Sequence, residues 1–327
     1  MKKVTITGGG GFIGAYLAKE MVRQGWHVSI IDSCIRGDLS RLDDIRDIIE
    51  VHDIDIRNEY SVQKAVLGSD LVIHLAAING TENFYNQPEL VLDVGLRGML
   101  SVVSACQKSD VPDLIVASSA EVYQTPSKIP TPEEIPLMLP DSINPRYSYG
   151  GSKIVSELIA FNYGREHFRR LQVFRPHNVY GPDMGWKHVV PQFISKIILS
   201  SKTDDGKKIL NIQGNGKETR AFCYVDDIVD GILKMYNLGE HRSVYHIGND
   251  HEIKMLDLAD EIALSLNQKI EVITSEAAIG GTNRRCPDLS KMRLLGYSPK
   301  VNLNEGIKKT VDWYVENFDR NIENKLL

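Results

Sequence analysis

Residues 4–14 read Val4-Thr5-Ile6-Thr7-Gly8-Gly9-Gly10-Gly11-Phe12-Ile13-Gly14, a short apolar run followed by a glycine-rich turn. Apolar side chains then recur with helical spacing at positions 12, 13, 16, 17 and 21. A strand that passes through glycines into a helix is typical of phosphate binding, because backbone N–H groups and the positive end of the helix dipole face the anion. The pattern therefore predicts a loop that cradles the pyrophosphate of a dinucleotide, although its spacing differs from the usual G-x-G-x-x-G.

An acidic residue, Asp32, ends the second apolar run of the chain, about 20 residues after the glycines. A carboxylate at this point can accept hydrogen bonds from both hydroxyls of an adenosine ribose, and it would repel a 2′-phosphate. Asp32 therefore favours NAD over NADP. Arg36 lies close enough in sequence to keep phosphate binding open as an alternative.

Composition and charge exclude several other classes of protein. The chain has 327 residues, 42% hydrophobic and 25% charged, which is enough to form a substantial core. A net charge of −5 gives no reason to expect a nucleic-acid or anionic membrane partner. The four cysteines have no zinc-binding spacing, and no histidine pattern indicates a metal site. The sequence shows no signal peptide or long apolar span, so we expect a cytoplasmic protein.

The order of apolar runs and helical patterns predicts an α/β fold. Predicted strands are residues 4–7, 28–32, 49–52, 71–75, 114–117 and 171–174, and predicted helices are 12–24, 61–67, 88–108 and 149–167. Such alternation indicates a Rossmann-like, doubly wound parallel sheet with helices on both faces. It weakens beyond residue 176. We therefore expect an NAD-binding domain over residues 1–175 and a smaller, mainly substrate-binding lobe over 176–327, interleaved with the first.

Tyr149 and Lys153 are the candidate catalytic pair. They are spaced i, i+4 at the start of a predicted helix, so they lie on one helix face. An ammonium group near a phenol stabilises the phenolate, which can take a hydroxyl proton while hydride leaves for a nicotinamide. Ser119 follows the fifth predicted strand, at the carboxyl edge where ligands bind, and its hydroxyl can bridge the tyrosine and the substrate oxygen.

These residues resemble the extended short-chain dehydrogenase/reductase family, in particular its NAD-dependent nucleotide-sugar epimerases and dehydratases. The similarity spans nearly the whole chain. It is carried by five stretches: Thr7 to Gly14, Asp55-Ile56-Arg57, His74-Leu75-Ala76-Ala77, Ser119 with Tyr149 and Lys153, and Arg175 to Pro182. Arg220 and the run Arg285-Cys286-Pro287-Asp288 are similar to basic positions that hold the nucleotide diphosphate.

The resemblance implies a set of ligand contacts and an assembly. The implied catalytic residues are Ser119, Glu121, Tyr149 and Lys153, and the implied substrate-binding residues are Asn178, Arg220 and Arg285. The implied NAD-binding residues are Gly8, Gly11, Phe12, Ile13, Gly14, Asp32, Ser33, Asp55, Ile56, Leu75, Ala76, Ala77, Tyr149, Lys153, Pro176 and His177. The family also implies a homodimer formed through the helices predicted at residues 88–108 and 149–167.

The implied chemistry is transient oxidation of a nucleotide-linked sugar, usually at C4, with return of the hydride, in the synthesis of polysaccharide or glycan precursors. Glu121 lies two residues after Ser119, as in the family's 4,6-dehydratases and uronic-acid decarboxylases. Ala120 stands where many dehydratases have an aspartic acid. Epimerisation or dehydration is the first expectation. A decarboxylase, a 4-keto reductase or dehydrogenase that exchanges cofactor, and a non-catalytic dinucleotide sensor remain alternatives. Residues 183–188 (Asp-Met-Gly-Trp-Lys-His) match no family pattern and are expected to shape the sugar pocket.

Overall fold

The computed structural model describes residues 1–276 and 282–318, so residues 277–281 and 319–327 of the predicted C-terminal lobe lie outside it. Within those ranges the strands are β1 (Lys3–Thr7), β2 (His27–Asp32), β3 (Glu50–Asp53), β4 (Leu71–His74), β5 (Asp113–Ala117), β6 (Arg170–Pro176), β7 (Val179–Tyr180), β8 (Lys208–Gln213), β9 (Thr219–Ala221), β10 (Cys223–Tyr224), β11 (Ser243–Ile247), β12 (Glu252–Lys254), β13 (Ile270–Ser275) and β14 (Arg284–Arg285).

The α-helices of the same ranges are α1 (Phe12–Arg23), α2 (Glu59–Val66), α3 (Thr81–Asn86), α4 (Pro88–Lys108), α5 (Ser148–Tyr163), α6 (Val189–Leu199), α7 (Val225–Leu238), α8 (Met255–Ser265), α9 (Ser290–Leu294) and α10 (Leu303–Glu316). Short 3₁₀ helices span Leu39–Ile48, Ala120–Tyr123 and Pro145–Tyr147. Of the helices that the structure describes, none is both long and apolar enough to cross a membrane.

Seven parallel strands form the central sheet in the order β11-β6-β5-β4-β1-β2-β3. The chain runs outward from β1 to β3 on one side and then crosses to β4 and continues to β6 on the other. The strand order therefore reverses at β1 and β4, which is where such sheets open a ligand crevice at their carboxyl edge. This topology confirms the predicted doubly wound fold.

Helices cover both faces of this sheet because each carries one apolar face. The buried side chains of α1, among them Leu17 and Met21, share a core cluster with Ile228 and Ile232 of α7. On the opposite face, α2, α4 and α5 build a second cluster with the sheet. The predicted helix over residues 149–167 ends earlier, at Tyr163. The chain turns closely at Gly164, where a Cβ atom would lie 2.7 Å from the Phe168 ring.

The later part of the chain builds a smaller lobe and also returns to the main sheet. A third core cluster joins α6, α8 and α10 to the short strands β8 and β10. The parallel pair β8–β13 and the three-stranded sheet β12-β9-β14 lie in this part. In contrast, β11 pairs in parallel with β6 and forms the edge of the central sheet. Residues after position 175 therefore contribute to both parts of the molecule.

Candidate active site

A cavity of about 480 Å³ opens at the carboxyl ends of β1, β2, β4 and β5. Its wall contains every predicted site residue except His177 and Arg220. The predicted residues in the wall are Gly8, Gly11, Phe12, Ile13, Gly14, Asp32, Ser33, Asp55, Ile56, Leu75, Ala76, Ala77, Ser119, Glu121, Tyr149, Lys153, Pro176, Asn178 and Arg285. The structure thus brings together residues from eight separate segments of the sequence.

The glycine-rich loop fits closely between β1 and the start of α1. Gly8 has φ +74°, and a Cβ atom there would lie 2.7 Å from the backbone N of Ala76. A Cβ atom on Gly14 would lie only 2.2 Å from the carbonyl oxygen of Gly8. No side chain caps the N-terminus of α1 and no acidic residue lies in its first turn. The first N–H groups of the helix are therefore available to an anion in the cavity.

Asp32 lies at the carboxyl end of β2 with its carboxylate almost fully buried. Its Oδ2 accepts the Gly10 N–H at 2.9 Å and its Oδ1 accepts the Cys34 N–H at 2.9 Å. Each carboxylate oxygen keeps a second lone pair for a ribose hydroxyl. An uncapped helix start, glycines that a side chain would obstruct and a carboxylate one strand away fit an adenine dinucleotide that lacks a 2′-phosphate.

The Tyr149 phenol and the Lys153 ammonium lie on one face of α5, and both side chains are buried. A hydrogen bond joins the hydroxyls of Tyr149 and Ser119. Lys153 Nζ lies 5.8 Å from the Tyr149 ring centroid and donates to the Ala117 carbonyl at 2.8 Å. Burial raises the pKa of Tyr149 to about 12, against the hydrogen bond from Ser119. Burial also lowers the pKa of Lys153 to about 8, although the charge of Glu157 opposes this shift.

Glu121 forms an ion pair in the same wall, with Arg285 of β14. Arg285 NH1 donates to Glu121 Oε1 at 2.8 Å, and the side chains of these residues are 13% and 22% exposed, respectively. Burial would raise the pKa of Glu121, but the charges of Arg285, Arg146 and Arg220 outweigh it and hold that pKa below its ordinary value. The carboxylate is therefore ionised, and several guanidinium groups surround it.

Two predicted residues lie outside the cavity wall. His177 is 1% exposed and packs edge-on against the His246 ring, with centroids 4.7 Å apart. Neither ring nitrogen of His177 has a hydrogen-bond partner among the described residues. Arg220 donates to the Thr282 carbonyl at 2.6 Å, and burial followed by the charge of Arg285 lowers its pKa to about 10. Arg220 thus remains charged near Glu121.

Several wall residues had no local signal in the sequence. The Phe84 ring stacks on Tyr149, with centroids 5.1 Å apart and planes at 12°. It lies on α3, a helix of six residues, which is too short to show a periodic pattern. Arg41 belongs to the 3₁₀ helix after β2 and contacts Asp183, which is 142 residues later. Only the folded chain reveals such a pair.

Comparison with known proteins agrees with this geometry. The family model for the NAD dependent epimerase/dehydratase family matches residues 4–248. UDP-glucuronic acid decarboxylase 1 of Xenopus tropicalis is 28% identical over 329 residues, covering 100% of this chain and 75% of that protein. UDP-N-acetyl-alpha-D-glucosaminuronate decarboxylase of Bacillus cytotoxicus is 28% identical over 325 residues, covering 96% and 98%. The NAD-bound dTDP-glucose 4,6-dehydratase DesIV of Streptomyces venezuelae superposes with a TM-score of 0.86 at 25% identity, covering 96% of this chain and 97% of that one.

The fold and the cavity define an NAD-binding enzyme of the dehydrogenase/reductase type. The chain belongs to the NAD-dependent epimerase/dehydratase family, since the family model covers most of its length. The family, the fold and the cofactor predicted from the sequence are therefore confirmed.

Proposed function

We propose that this enzyme oxidises C4 of a nucleotide-linked uronic acid, that the resulting 4-keto acid loses CO2, and that hydride then returns to C4. The observation that carries the proposal is the ion pair between Glu121 and Arg285, in the wall that also holds Tyr149 and Ser119. Bound NAD supplies the hydride acceptor and then returns the same hydride. The cofactor is therefore not consumed.

In this proposal Tyr149 exchanges the proton of the C4 hydroxyl. Its phenol shares a hydrogen bond with Ser119, which places a second hydroxyl beside the reacting oxygen. The Lys153 ammonium is held by the Ala117 carbonyl near the Tyr149 ring. Its positive charge favours the phenolate and so opposes the burial that raises the pKa of Tyr149. The Phe84 ring stacks on the Tyr149 ring and fixes the orientation of its plane.

The surroundings of Glu121 favour decarboxylation over dehydration. A dehydratase needs a base at C5 and an acid for the leaving hydroxyl. Glu121 is held ionised in an ion pair, which weakens it as a base, and its neighbour Ala120 offers no proton. A 4-keto uronic acid needs no base at C5, because the electrons of the C5–C6 bond move toward the C4 carbonyl as CO2 leaves. The enolate that remains then takes a proton from water at C5, which restores the 4-ketone.

The proposed substrate contacts are those of the arginines and of Asn178. Arg285 uses NH1 for Glu121 and NH2 for a long contact to the Thr282 hydroxyl at 3.4 Å, so other N–H groups remain for an anion. Arg220 adds a second positive charge beside it. The guanidinium groups of Arg285 and Arg220 can each form charge-assisted hydrogen bonds with the diphosphate or the carboxylate of the substrate. With the strands and helices of the smaller lobe, these residues form the proposed substrate-binding part after residue 175.

Two curated relatives support this substrate class. The proteins from Xenopus tropicalis and Bacillus cytotoxicus that match along nearly the whole chain are both decarboxylases of nucleotide-linked uronic acids. A putative UDP-glucose 4-epimerase of Methanocaldococcus jannaschii is equally similar, at 28% identity. Epimerisation at C4 is therefore the outcome that the experiment must separate from decarboxylation.

The test is incubation with UDP-, GDP-, dTDP- and CDP-linked hexoses and uronic acids, followed by NMR and by measurement of CO2. We expect one uronic acid to give a pentose and one equivalent of CO2. A C4 epimer that keeps its carboxyl group, or a 4-keto-6-deoxy sugar from a neutral hexose, would overturn the proposal.

We propose that the enzyme is a homodimer formed through α4 and α5. Apolar side chains are exposed on these adjacent helices, including Leu92 and Leu100 at 38% each and Leu158 at 57%. A second copy of the same surface would bury them. Leu158→Glu should give a monomer in light scattering after gel filtration. Leu264→Glu, at a site 71% exposed on α8, is the control and should behave as the wild type. A wild-type monomer would contradict the proposal.

We also propose that the enzyme works in the cytoplasm. All four cysteines are unpaired, and Cys106, Cys223 and Cys286 are buried thiols. Free thiols suit a reducing compartment. Fractionation of the source cells with an antibody against the chain tests this proposal, and recovery from an extracytoplasmic fraction would contradict it.

A further inference from the structure

The segment of residues 183–188 is fastened to the NAD-binding part of the chain at both ends. At its start, Arg41 forms a bidentate ion pair with Asp183, in which Nε donates to Oδ2 at 2.8 Å and NH2 donates to Oδ1 at 2.9 Å. At its end, Lys187 forms an ion pair with Glu82 of α3. Between these points Met184 and Gly185 line the cavity. The segment therefore forms part of the cavity wall, and ion pairs hold it in place.

Arg41 also contacts the glycine-rich loop. Its NH1 donates to the Gly10 carbonyl at 3.0 Å, and the same carbonyl accepts the Asp38 N–H at 2.9 Å. One guanidinium thus joins the glycine-rich loop to residues 183–188. Arg41 lines the cavity itself, together with Gly37 from the same stretch after β2.

The two ion pairs differ in how strongly water screens them. The Arg41 side chain is 14% exposed and that of Asp183 is 32% exposed. In contrast, Lys187 and Glu82 are 46% and 47% exposed, so water and salt weaken that pair more. Two parallel N–H···O bonds also make the Arg41–Asp183 contact more directional than a lysine pair. Arg41 is therefore the stronger of the two fastenings.

We infer that residues 183–188 are a strap that keeps NAD in its site and that Arg41 is the residue that fastens it. Exchange of the cofactor requires the strap to move away from the glycine-rich loop, which breaks the contacts of Arg41 with Asp183 and with Gly10. Arg41 is a positioning residue in this scheme, since it takes no part in hydride or proton transfer. The inference rests on the use of NAD and not on which sugar reaction follows.

The experiment measures release of NAD from the purified holoenzyme in the absence of any sugar. The enzyme is mixed with excess isotopically labelled NAD, and bound label is followed over time by mass spectrometry. Charge-assisted hydrogen bonds of about 1.5–3 kcal/mol correspond to roughly 10- to 150-fold, so Arg41→Gln and Asp183→Asn should each speed exchange by at least about tenfold. The double variant should be no faster than the faster single one, because both changes break the same pair.

Arg23→Gln is the matched control. Arg23 makes the same two-pronged contact with Glu20, at 2.6 and 2.7 Å, on the exposed face of α1 and away from the cavity wall. Its exchange rate should equal that of the wild type. Exchange within twofold of the wild type in both Arg41→Gln and Asp183→Asn, or equal acceleration in Arg23→Gln, would overturn the inference.

Salt provides a second measurement that needs no variant. Raising sodium chloride from 0.05 to 0.5 M screens the ion pairs and should speed NAD exchange of the wild-type enzyme several-fold. An exchange rate that does not change with salt would contradict the strap even if the variants failed to fold. Because no sugar is present, these results stand apart from the test of the net reaction.

Discussion

Acidification should destabilise this protein steeply because three histidines are buried in their neutral form. His74, His177 and His246 are each at most 3% exposed. Burial lowers the pKa of His74 and of His246 to about 3 and holds that of His177 well below its ordinary value. In the unfolded chain an imidazole titrates near pH 6.5, so below that pH the unfolded state binds more protons than the folded state. Their contribution to stability is present above pH 6.5 and is lost as the pH falls toward 3.

The size of the effect follows from this difference in protonation. At pH 5.5, one unit below the unfolded pKa, each neutral histidine lowers the free energy of unfolding by about 1.4 kcal/mol. The three together lower it by about 4 kcal/mol relative to high pH. This is a large fraction of the 5–15 kcal/mol that is typical of folded domains. Urea unfolding followed by circular dichroism at pH 7.5 and pH 5.5 measures the loss.

Variants separate the histidines from other titrating groups. His246→Gln keeps a polar side chain for the Tyr123 hydroxyl, which lies 2.7 Å from His246 Nε2, but it does not titrate. The loss between pH 7.5 and pH 5.5 should therefore be smaller in this variant by about 1.4 kcal/mol. His251→Gln is the control, since that side chain is 92% exposed, and its loss should match the wild type. An equal loss in His246→Gln and the wild type would refute the reasoning.

Other changes act on the cofactor and on catalysis. Asp32 also accepts two backbone N–H groups, so Asp32→Asn is chosen because it keeps the size of the side chain. Loss of the charge should weaken NAD binding by roughly 1.5–3 kcal/mol in isothermal titration and relax discrimination against NADP. Unchanged affinities for both cofactors would remove Asp32 from the site. Tyr149→Phe should lower turnover by about 10²–10⁴-fold with little change in NAD affinity, and near-normal turnover would contradict its role. Gly14→Ala places a Cβ atom 2.2 Å from the Gly8 carbonyl oxygen and should weaken NAD binding more than about tenfold. Gly25→Ala, after α1, also strains the backbone because Gly25 has φ +80°, but it lies outside the cavity wall and should leave NAD affinity unchanged.

The parts of the site that could be predicted are those that local sequence encodes. The glycine-rich loop and α1 follow one another within about 20 residues, and their periodicity indicates strand, turn and helix. Tyr149 and Lys153 are one helical turn apart, so their shared face follows from spacing alone. The parallel sheet follows from repeated alternation. In each case the residues that define the feature lie within one or two elements.

The remaining parts depend on contacts between distant residues. Glu121 and Arg285 form an ion pair although they are 164 residues apart in the sequence. No rule of sequence spacing predicts which arginine will contact that carboxylate. The strand β11 joins the central sheet from the later half of the chain, where the alternation is weak. His177 occupies a position that was predicted to bind NAD, but its side chain packs in the core against His246. Its neighbours Pro176 and Asn178 line the cavity instead. Such placements follow from tertiary packing.

The strap and the proposed reaction support each other through the fate of the hydride. When hydride leaves C4 and returns in the same turnover, release of NAD is never a step of the cycle. Ion pairs that slow the opening of residues 183–188 then do not lower the turnover rate. They also prevent loss of the reduced cofactor before the hydride is returned. An enzyme that exchanged cofactor at every turnover would be slowed by the same contacts of Arg41. If Arg41→Gln speeds NAD exchange without raising turnover with the identified sugar, the cycle is redox-neutral. A rise in turnover would instead show that cofactor release limits it, as expected of a reductase or dehydrogenase.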